Sequence, residues 1–240
     1  MRERRRVDER MDDPALEPAE HRRALAGLAR LNAVSRSHRL LWPGIREAAR
    51  AAQAWGRALR VVDVAAGSGD AAAAMARHAR AEGLSIDWVL CDLSARALVE
   101  ASARAERSGM RIATCEADAV RAPLPVRGDV VICSLFLHHC ERADAVRVLR
   151  HMRAAAEHLV GVTDLDRTRL GLALAVVGSR LLSRSKVVHF DAAASVRAAF
   201  TPAEAAGIAK EAGLNGASIE RVFPERWRLW WRQGDARGPT

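Results

Sequence analysis

Tyrosine is absent from these 240 residues, lysine occurs only at positions 186 and 210, and aromatic residues make up 4% of the chain. The formal net charge of +9 is therefore carried almost wholly by arginine. Such a bias can mark a nucleic-acid binder. The arginines, however, do not gather into one tract outside residues 2–6, and alanine is equally abundant, which reads as a biased genome composition spread over solvated faces. Cysteine is scarce too. The four at 91, 115, 133 and 140 show neither CxxC spacing nor the framework of a small secreted domain, and read as reduced core residues of a cytoplasmic protein. No apolar run is long enough to span a bilayer: Leu170 to Leu182 falls about one turn short and contains Arg180. Residues 1–13 are charged and lack the apolar centre of a signal peptide. What remains is one globular domain, with 50% hydrophobic and 28% charged residues.

The most informative stretch runs from Arg60 to Asp70. A short apolar run with Val61, Val62 and Val64 ends in Gly67 and Gly69, and alanine-rich residues 71–78 follow, so it reads as strand, tight loop and helix. A loop without side chains at Gly67 and Gly69 lets backbone N–H groups approach a ligand, and the start of the helix adds unpaired donors and partial positive charge. A dinucleotide and S-adenosylmethionine compete for such a loop. Gly67-Ser68-Gly69-Asp70-Ala71-Ala72 meets the dinucleotide fingerprint only in relaxed form, with alanine last. Asp63, four residues before Gly67, adds a carboxylate at the end of an apolar strand, costly there without a cationic or hydrogen-bonding partner.

Along the chain, residues 1–13 read as a disordered tail. Leu25, Leu28, Leu31 and Val34 fall on one helical face, and Pro43 can open a second helix through Ala54. After the glycine loop, strands at 85–91, 111–115, 130–134 and 158–162 alternate with helices at 95–107 and 142–156, the rhythm of a parallel sheet covered on both faces. Residues 167–184 look like an apolar helix, either core or a lid over a greasy pocket shared with Trp42. Thr201 to Glu204 resembles an N-cap before a helix to Ala212, and 218–222 with 227–231 read as an antiparallel hairpin in which Trp227, Trp230 and Trp231 pack.

On the residues Asp63-Val64-Ala65-Ala66-Gly67-Ser68-Gly69-Asp70 the chain resembles the class I S-adenosylmethionine-dependent methyltransferases, and among them the quinone-biosynthesis group of small-molecule enzymes. Ala65 stands where many members carry the first glycine. The resemblance implies an α/β, Rossmann-like fold with a seven-stranded, mostly parallel sheet, helices on both faces and added N-terminal lid helices. It divides the chain into the tail 1–13, a helical lid 14–56 and a methyltransferase domain 57–240. It implies S-adenosyl-L-methionine as cofactor, with Asp63, Ala65, Gly67 and Gly69 at the methionine end. Asp92, 23 positions after Gly69, would hold the ribose with Leu93 beside it, its bland alternative being a helix cap. Asp118 and Ala119 would meet the adenine, the bland alternative being a turn aspartate, and Ser134 would lie near the sulfonium.

His138 and His139, in Leu135-Phe136-Leu137-His138-His139 after the fourth strand, are candidate bases, since histidine titrates near neutrality; the alternative is a cap and a packing residue. Asp164 and Asp166 follow the fifth strand, where a carboxylate could orient a base. No His or Cys stands at metal-ligand spacing, so no metal site is read, although Asp164, Asp166, His189 and Asp191 could converge. The expected reaction is methyl transfer to oxygen or carbon of a small aromatic, quinone-like or polyketide acceptor. An NAD(P)-dependent oxidoreductase and an RNA or DNA methyltransferase are the alternatives. The second is weakened by Ser134-Leu135-Phe136-Leu137 standing in place of an Asn-Pro-Pro-aromatic motif.

Overall fold

The computed structural model of the chain describes residues 1–234 apart from positions 2, 13, 14 and 36, and leaves aside the side chains at 12, 18, 21, 25, 28, 29 and 32–35. A short 3-10 turn (Arg10–Asp12) precedes α1 (Pro18–Ser35) and α2 (His38–Ala54). Then follow β1 (Leu59–Val64), α3 (Asp70–Ala81), β2 (Ile86–Asp92), α4 (Ala95–Ser108), β3 (Ile112–Glu116) and β4 (Gly128–Ser134). The second half holds α5 (Arg142–Ala155), β5 (Ala156–Leu165), α6 (Arg169–Leu182), α7 (Lys186–Ala198), α8 (Pro202–Glu211), β6 (Ser218–Val222) and β7 (Arg226–Arg232). The seven strands form one sheet in the order β3-β2-β1-β4-β5-β7-β6. β1 to β5 pair in parallel, and β7 runs antiparallel to both β5 and β6.

Alternation along the strands sends the apolar side chains to two separate cores. Val62, Val64, Val131, Cys133 and Val162 pack with α5 and α8 on one face. Val61, Leu90, Val130 and Ile132 pack with α2, α3 and α4 on the other. The result is a three-layer, Rossmann-like α/β architecture. The predicted N-cap at Thr201 is a full capping box with Glu204, whose carboxylate also takes both Nη atoms of the buried Arg167 at 2.8 and 2.6 Å.

Three features depart from the sequence reading. α2 begins at His38, five residues before Pro43, because Leu41, Trp42, Ile45, Ala49 and Ala52 form a buried stripe on the sheet that outweighs the one lost N–H. α2 thus covers the sheet, and Trp42 stacks toward His78 with ring centroids 5.7 Å apart instead of lining a pocket near α6. The charged N-terminal residues, read as a tail, lie against the body: the Arg4 guanidinium donates to the carbonyls of Ala198, His138 and Cys140, and the N–H groups of Arg10 and Met11 donate to Asp191. α1 forms as expected and packs with α6 and α7. Of its proposed apolar face, Leu25, Leu28 and Val34 lie outside the described side chains.

One contact fixes α2 to the sheet. The indole of Trp230 on β7 lies between Gly44 of α2 and Gly161 of β5, and a Cβ built on Gly161 would sit 2.2 Å from its ring. Gly161→Ala should therefore lower stability by about 2–3 kcal/mol, which a urea titration would register as a fall in the midpoint at unchanged slope.

Candidate active site

The carboxyl ends of β3, β2, β1 and β4 stand side by side, and the loops leaving them carry Asp118, Asp92, the 65–69 loop and Ser134 in that order. Four strands at the usual spacing make a shelf roughly 14 Å long, about the length of an extended nucleoside with an amino-acid arm.

Asp63 sits one residue before the end of β1 and is 1% exposed. Neither of its carboxylate oxygens has a hydrogen-bond partner among the described residues. Burial, and then the negative charge of Asp92, push its pKa up to about 7. Directly above it the chain turns through left-handed backbone at Ala65 (φ 53°), Gly67 (φ 54°) and Gly69 (φ 72°). Gly67 faces open space, since nothing lies within 4 Å of a Cβ placed there, whereas a Cβ placed on Gly69 would come to 3.1 and 3.3 Å from Leu90 and Ala101. Gly67 is thus the open glycine of the loop and Gly69 the packed one. Ala65 holds its left-handed conformation at a cost of about 1 kcal/mol, which the first glycine of the motif would avoid.

Asp92 receives the Gly67 N–H at 2.8 Å and the Ser94 N–H at 2.9 Å, so it ties the glycine loop to the β2 exit while remaining half-exposed; Leu93 beside it is exposed. The cap of α4 is Ser94, not Asp92. Asp118 accepts from the N–H groups of Val120 and Arg121 through Oδ1, the turn role foreseen for it, and Arg121 approaches Oδ2 at 3.4 Å. Ala119 is buried, and its carbonyl accepts from His151. Ser134 ends β4 half-buried, and Leu135 after it again has positive φ, 55°. Such unfavourable backbone recurs at functional turns.

Beyond Leu135 a 3-10 turn (Leu137–His139) presents the two histidines differently. His138 is buried, with Nδ1 2.7 Å from Asp164 Oδ1, while Asp164 Oδ2 accepts the His138 backbone N–H at 3.0 Å. Burial alone would lower the His138 pKa, but the charge of Asp164 and its hydrogen bond outweigh it and raise the value above the ordinary one. Asp164 moves the opposite way: burial resists, yet His138 and the donated N–H bonds hold its carboxyl below the usual range. His139, with its ring centroid 4.2 Å from that of His138, is pushed down to about 3 by burial and by the neighbouring imidazole. It is neutral and a feeble base, so the stronger candidate is His138.

The remaining carboxylates do not converge. Asp166 pairs with Arg221 at 2.9 Å, Asp191 holds the N-terminal backbone, and His189 meets the Ser183 carbonyl. In their place the N-terminal segment brings Glu9 to 3.9 Å from His138 Nε2, beside a cavity of about 140 Å3 bordered by Arg6, His139 and Ser195. Glu9, His138 and His139 offer ligand atoms within 4.8 Å of one another. The charges of Arg4 and Arg6 reach the two histidines and oppose a cation there. Composition did not single out Glu9, nor Arg226, which is 7% exposed at the start of β7 and feels the charge of Asp164. A larger cleft of about 490 Å3 lies on the other side, between α2 and the β5–β7 pair. Its Arg50, Arg228 and Arg232 are already paired with Glu82, Glu220 and Glu47.

Residues 61–158 match the family model of the methyltransferase domain. Among solved structures, an O-methyltransferase candidate from Nostoc punctiforme PCC 73102 superposes with a TM-score of 0.64 at 18% identity, over 95% of this chain and 63% of its own. The chain thus spans less than two thirds of that relative. Magnesium protoporphyrin IX methyltransferase from Synechocystis PCC 6803, solved with S-adenosylhomocysteine, gives 0.55 at 16% identity over 94% of this chain and 91% of its own. The plantazolicin methyltransferase BpumL, solved with the same ligand, gives 0.64 at 11% identity over 92% and 91%. No curated protein matches the chain.

The state of Asp63 makes a prediction that needs no ligand. Its folded pKa of about 7 lies well above the ordinary carboxylate value of about 4, so the folded state holds this proton more tightly and the group's contribution to stability declines as pH rises from about 4 to about 7. Asp63→Asn removes that decline. Between pH 5 and pH 8 the stability of the variant relative to the parent should improve by about 2 kcal/mol, read from urea unfolding at the two pH values.

Proposed function

From a fold and a matched domain that are those of the class I S-adenosylmethionine-dependent methyltransferases, we propose that this chain transfers a methyl group to oxygen or carbon of a small acceptor. The observation that carries the reading is Asp63. Two buried carboxylate oxygens without a donor, beneath a loop whose glycine faces open space, fit the ammonium of a methionine moiety, and a cation there returns the carboxyl to its anionic form. The N–H groups of the 65–69 loop and of the first turn of α3 would hold the carboxylate of the same moiety. Asp92 keeps acceptor capacity beyond its two backbone bonds and would take the ribose hydroxyls with Leu93 beside them, Asp118 with Ala119 would take the adenine, and Ser134 would lie near the sulfonium.

When bound, S-adenosylmethionine supplies an electrophilic methyl group on a sulfonium sulfur. The chain's own task is alignment and proton removal. His138, fixed through Nδ1 by Asp164, takes the acceptor proton at Nε2, on the edge that faces Glu9. Arg226 is buried, and its Nε has no partner among the described residues, so it favours an acceptor that develops negative charge, such as a phenol or enol. That agrees with an aromatic, quinone-like or polyketide molecule. The charged N-terminal segment covers this side, with Arg4 on the carbonyls of His138 and Cys140 and Glu9 near His138 Nε2.

Equilibrium titration tests the cofactor. S-Adenosylhomocysteine should bind and NAD should not, and Asp63→Asn or Gly67→Val should weaken that binding at least about 100-fold; binding of NAD alone refutes the reading. With an acceptor in hand, activity should rise with pH as His138 loses its proton. Asp164→Asn should move that limb to lower pH and cut kcat about 100-fold or more, while His139→Ala changes it far less. An unchanged kcat in His138→Ala removes His138 as the base.

A further inference from the structure

α6 reads in sequence as a buried apolar helix, yet among its described residues only Gly171 and Ser179 are fully buried. Leu170, Leu174, Val177 and Leu181 are 58%, 47%, 55% and 79% exposed. Their spacing of four, three and four residues puts them in one stripe along the helix, and the inner side rests on α1 and α7. At 100° per residue, Arg169 and Arg180 fall together on the solvent flank of that stripe, and Arg184 and Lys186 follow as exposed cations just beyond it. No acidic residue occurs between Asp166 and Asp191. At the helix start, Thr168 donates to Glu225, which brings the β6–β7 turn and its 89% exposed Phe223 to the same end.

We propose that this face lies in the plane of an anionic phospholipid bilayer, with the stripe among the acyl chains near the headgroups and the arginines on the lipid phosphates. Charge selects this occupant. A second copy packed about a two-fold axis would set Arg169 of one chain toward Arg180 of the other if the two α6 helices ran antiparallel, or each arginine toward its own copy if they ran parallel, and four side chains offer far less than the ~800 Å2 per partner of a stable interface. A span is excluded by length, since no helix among the described residues is long and apolar enough to cross a membrane. A short helix with aliphatic residues on one stripe, arginines on its flank and no acids is the form of an interfacial helix. α6 also leaves the sheet directly after Asp164 and Asp166, so a docked face would put the acceptor side of the site next to the lipid.

The test uses the full chain and sucrose-loaded vesicles of phosphatidylcholine alone or with about 30% phosphatidylglycerol. The protein should sediment with the anionic vesicles at least about tenfold more strongly than with the neutral ones, and raising salt from ~0.1 to ~0.5 M should weaken this. Leu181→Ser and Leu174→Ser, neutral changes at exposed positions, should each reduce binding about fivefold to tenfold while leaving thermal unfolding unchanged. Arg180→Gln should lessen the preference for anionic lipid. Failure of the parent protein to bind anionic vesicles overturns the proposal, as does equal binding by both serine variants. So does analytical ultracentrifugation showing a dimer that Leu181→Ser dissociates without any vesicle binding.

Discussion

A charge that the fold does not satisfy governs the site. Asp63 belongs to a strand buried on both faces, among Val61, Val62 and Val64, where only an apolar side chain stabilises the sheet without compensation. With no donor among the described residues, its carboxyl holds a proton near neutrality. Everything around it lets a ligand approach: the left-handed loop turns its backbone away, Gly67 keeps the space clear, and Asp92 pins the loop by its Gly67 bond. Asp92 also raises the cost of ionising Asp63, so an arriving cation relieves both burial and repulsion. Stability is given up locally so that the free energy is recovered on binding, the usual trade at sites with perturbed acids.

The other half of the site solves the opposite problem. Asp164 is as buried as Asp63 but fully engaged, accepting from His138 twice and from Leu165, and its pKa falls where that of Asp63 rises. Two buried aspartates, on β1 and β5 with β4 between them, thus differ in state through their donors. One has no donor among the described residues and keeps its proton, and the other orients an imidazole. The ring of His139, tilted against its neighbour, is held neutral by burial and by the His138 imidazole.

Much of this was legible from residue order. The valine run, the two glycines and Asp63 placed the loop, the regular alternation of strand and helix segments placed the parallel sheet, and the paired runs 218–222 and 227–231 placed its final hairpin. Asp164 could be suspected as an orienting carboxylate because it ends a strand. Its pairing with a histidine 26 positions earlier depends on the parallel register of β4 with β5, which no local pattern encodes. Docking of the N-terminal arginines was hidden for a related reason. Their acceptors are backbone carbonyls of His138, Cys140 and Ala198, free only because a 3-10 turn and a helix end leave them so, and a charge run with such partners looks like any solvated tail. α2 misled because Pro43 marks a helix start by preference, while five buried side chains decide otherwise. α6 misled because composition reports apolarity but not the direction in which it faces.

The two ends of the molecule differ in how firmly they are held. Both faces of the sheet carry extensive cores with large buried side chains such as Trp88, Trp227, Ile132 and Leu149. The assembly of α1, α7 and the N-terminal segment over His138 rests on a small cluster, Ala24, Val187 and Val188, with Met11, Leu16 and Leu31 beside it. Less apolar area is lost when that part opens, so it opens at a smaller free energy than the sheet does. What binds it down instead is polar: the fan of bonds from Arg4, the pair of Arg6 with Glu141, and Glu9 with His138. Contacts of that kind exchange readily for water or for an acceptor's own polar groups. A sheet held by large apolar cores and an N-terminal segment held by exchangeable charges thus divide the molecule into a rigid body and a part that opens at lower cost around His138.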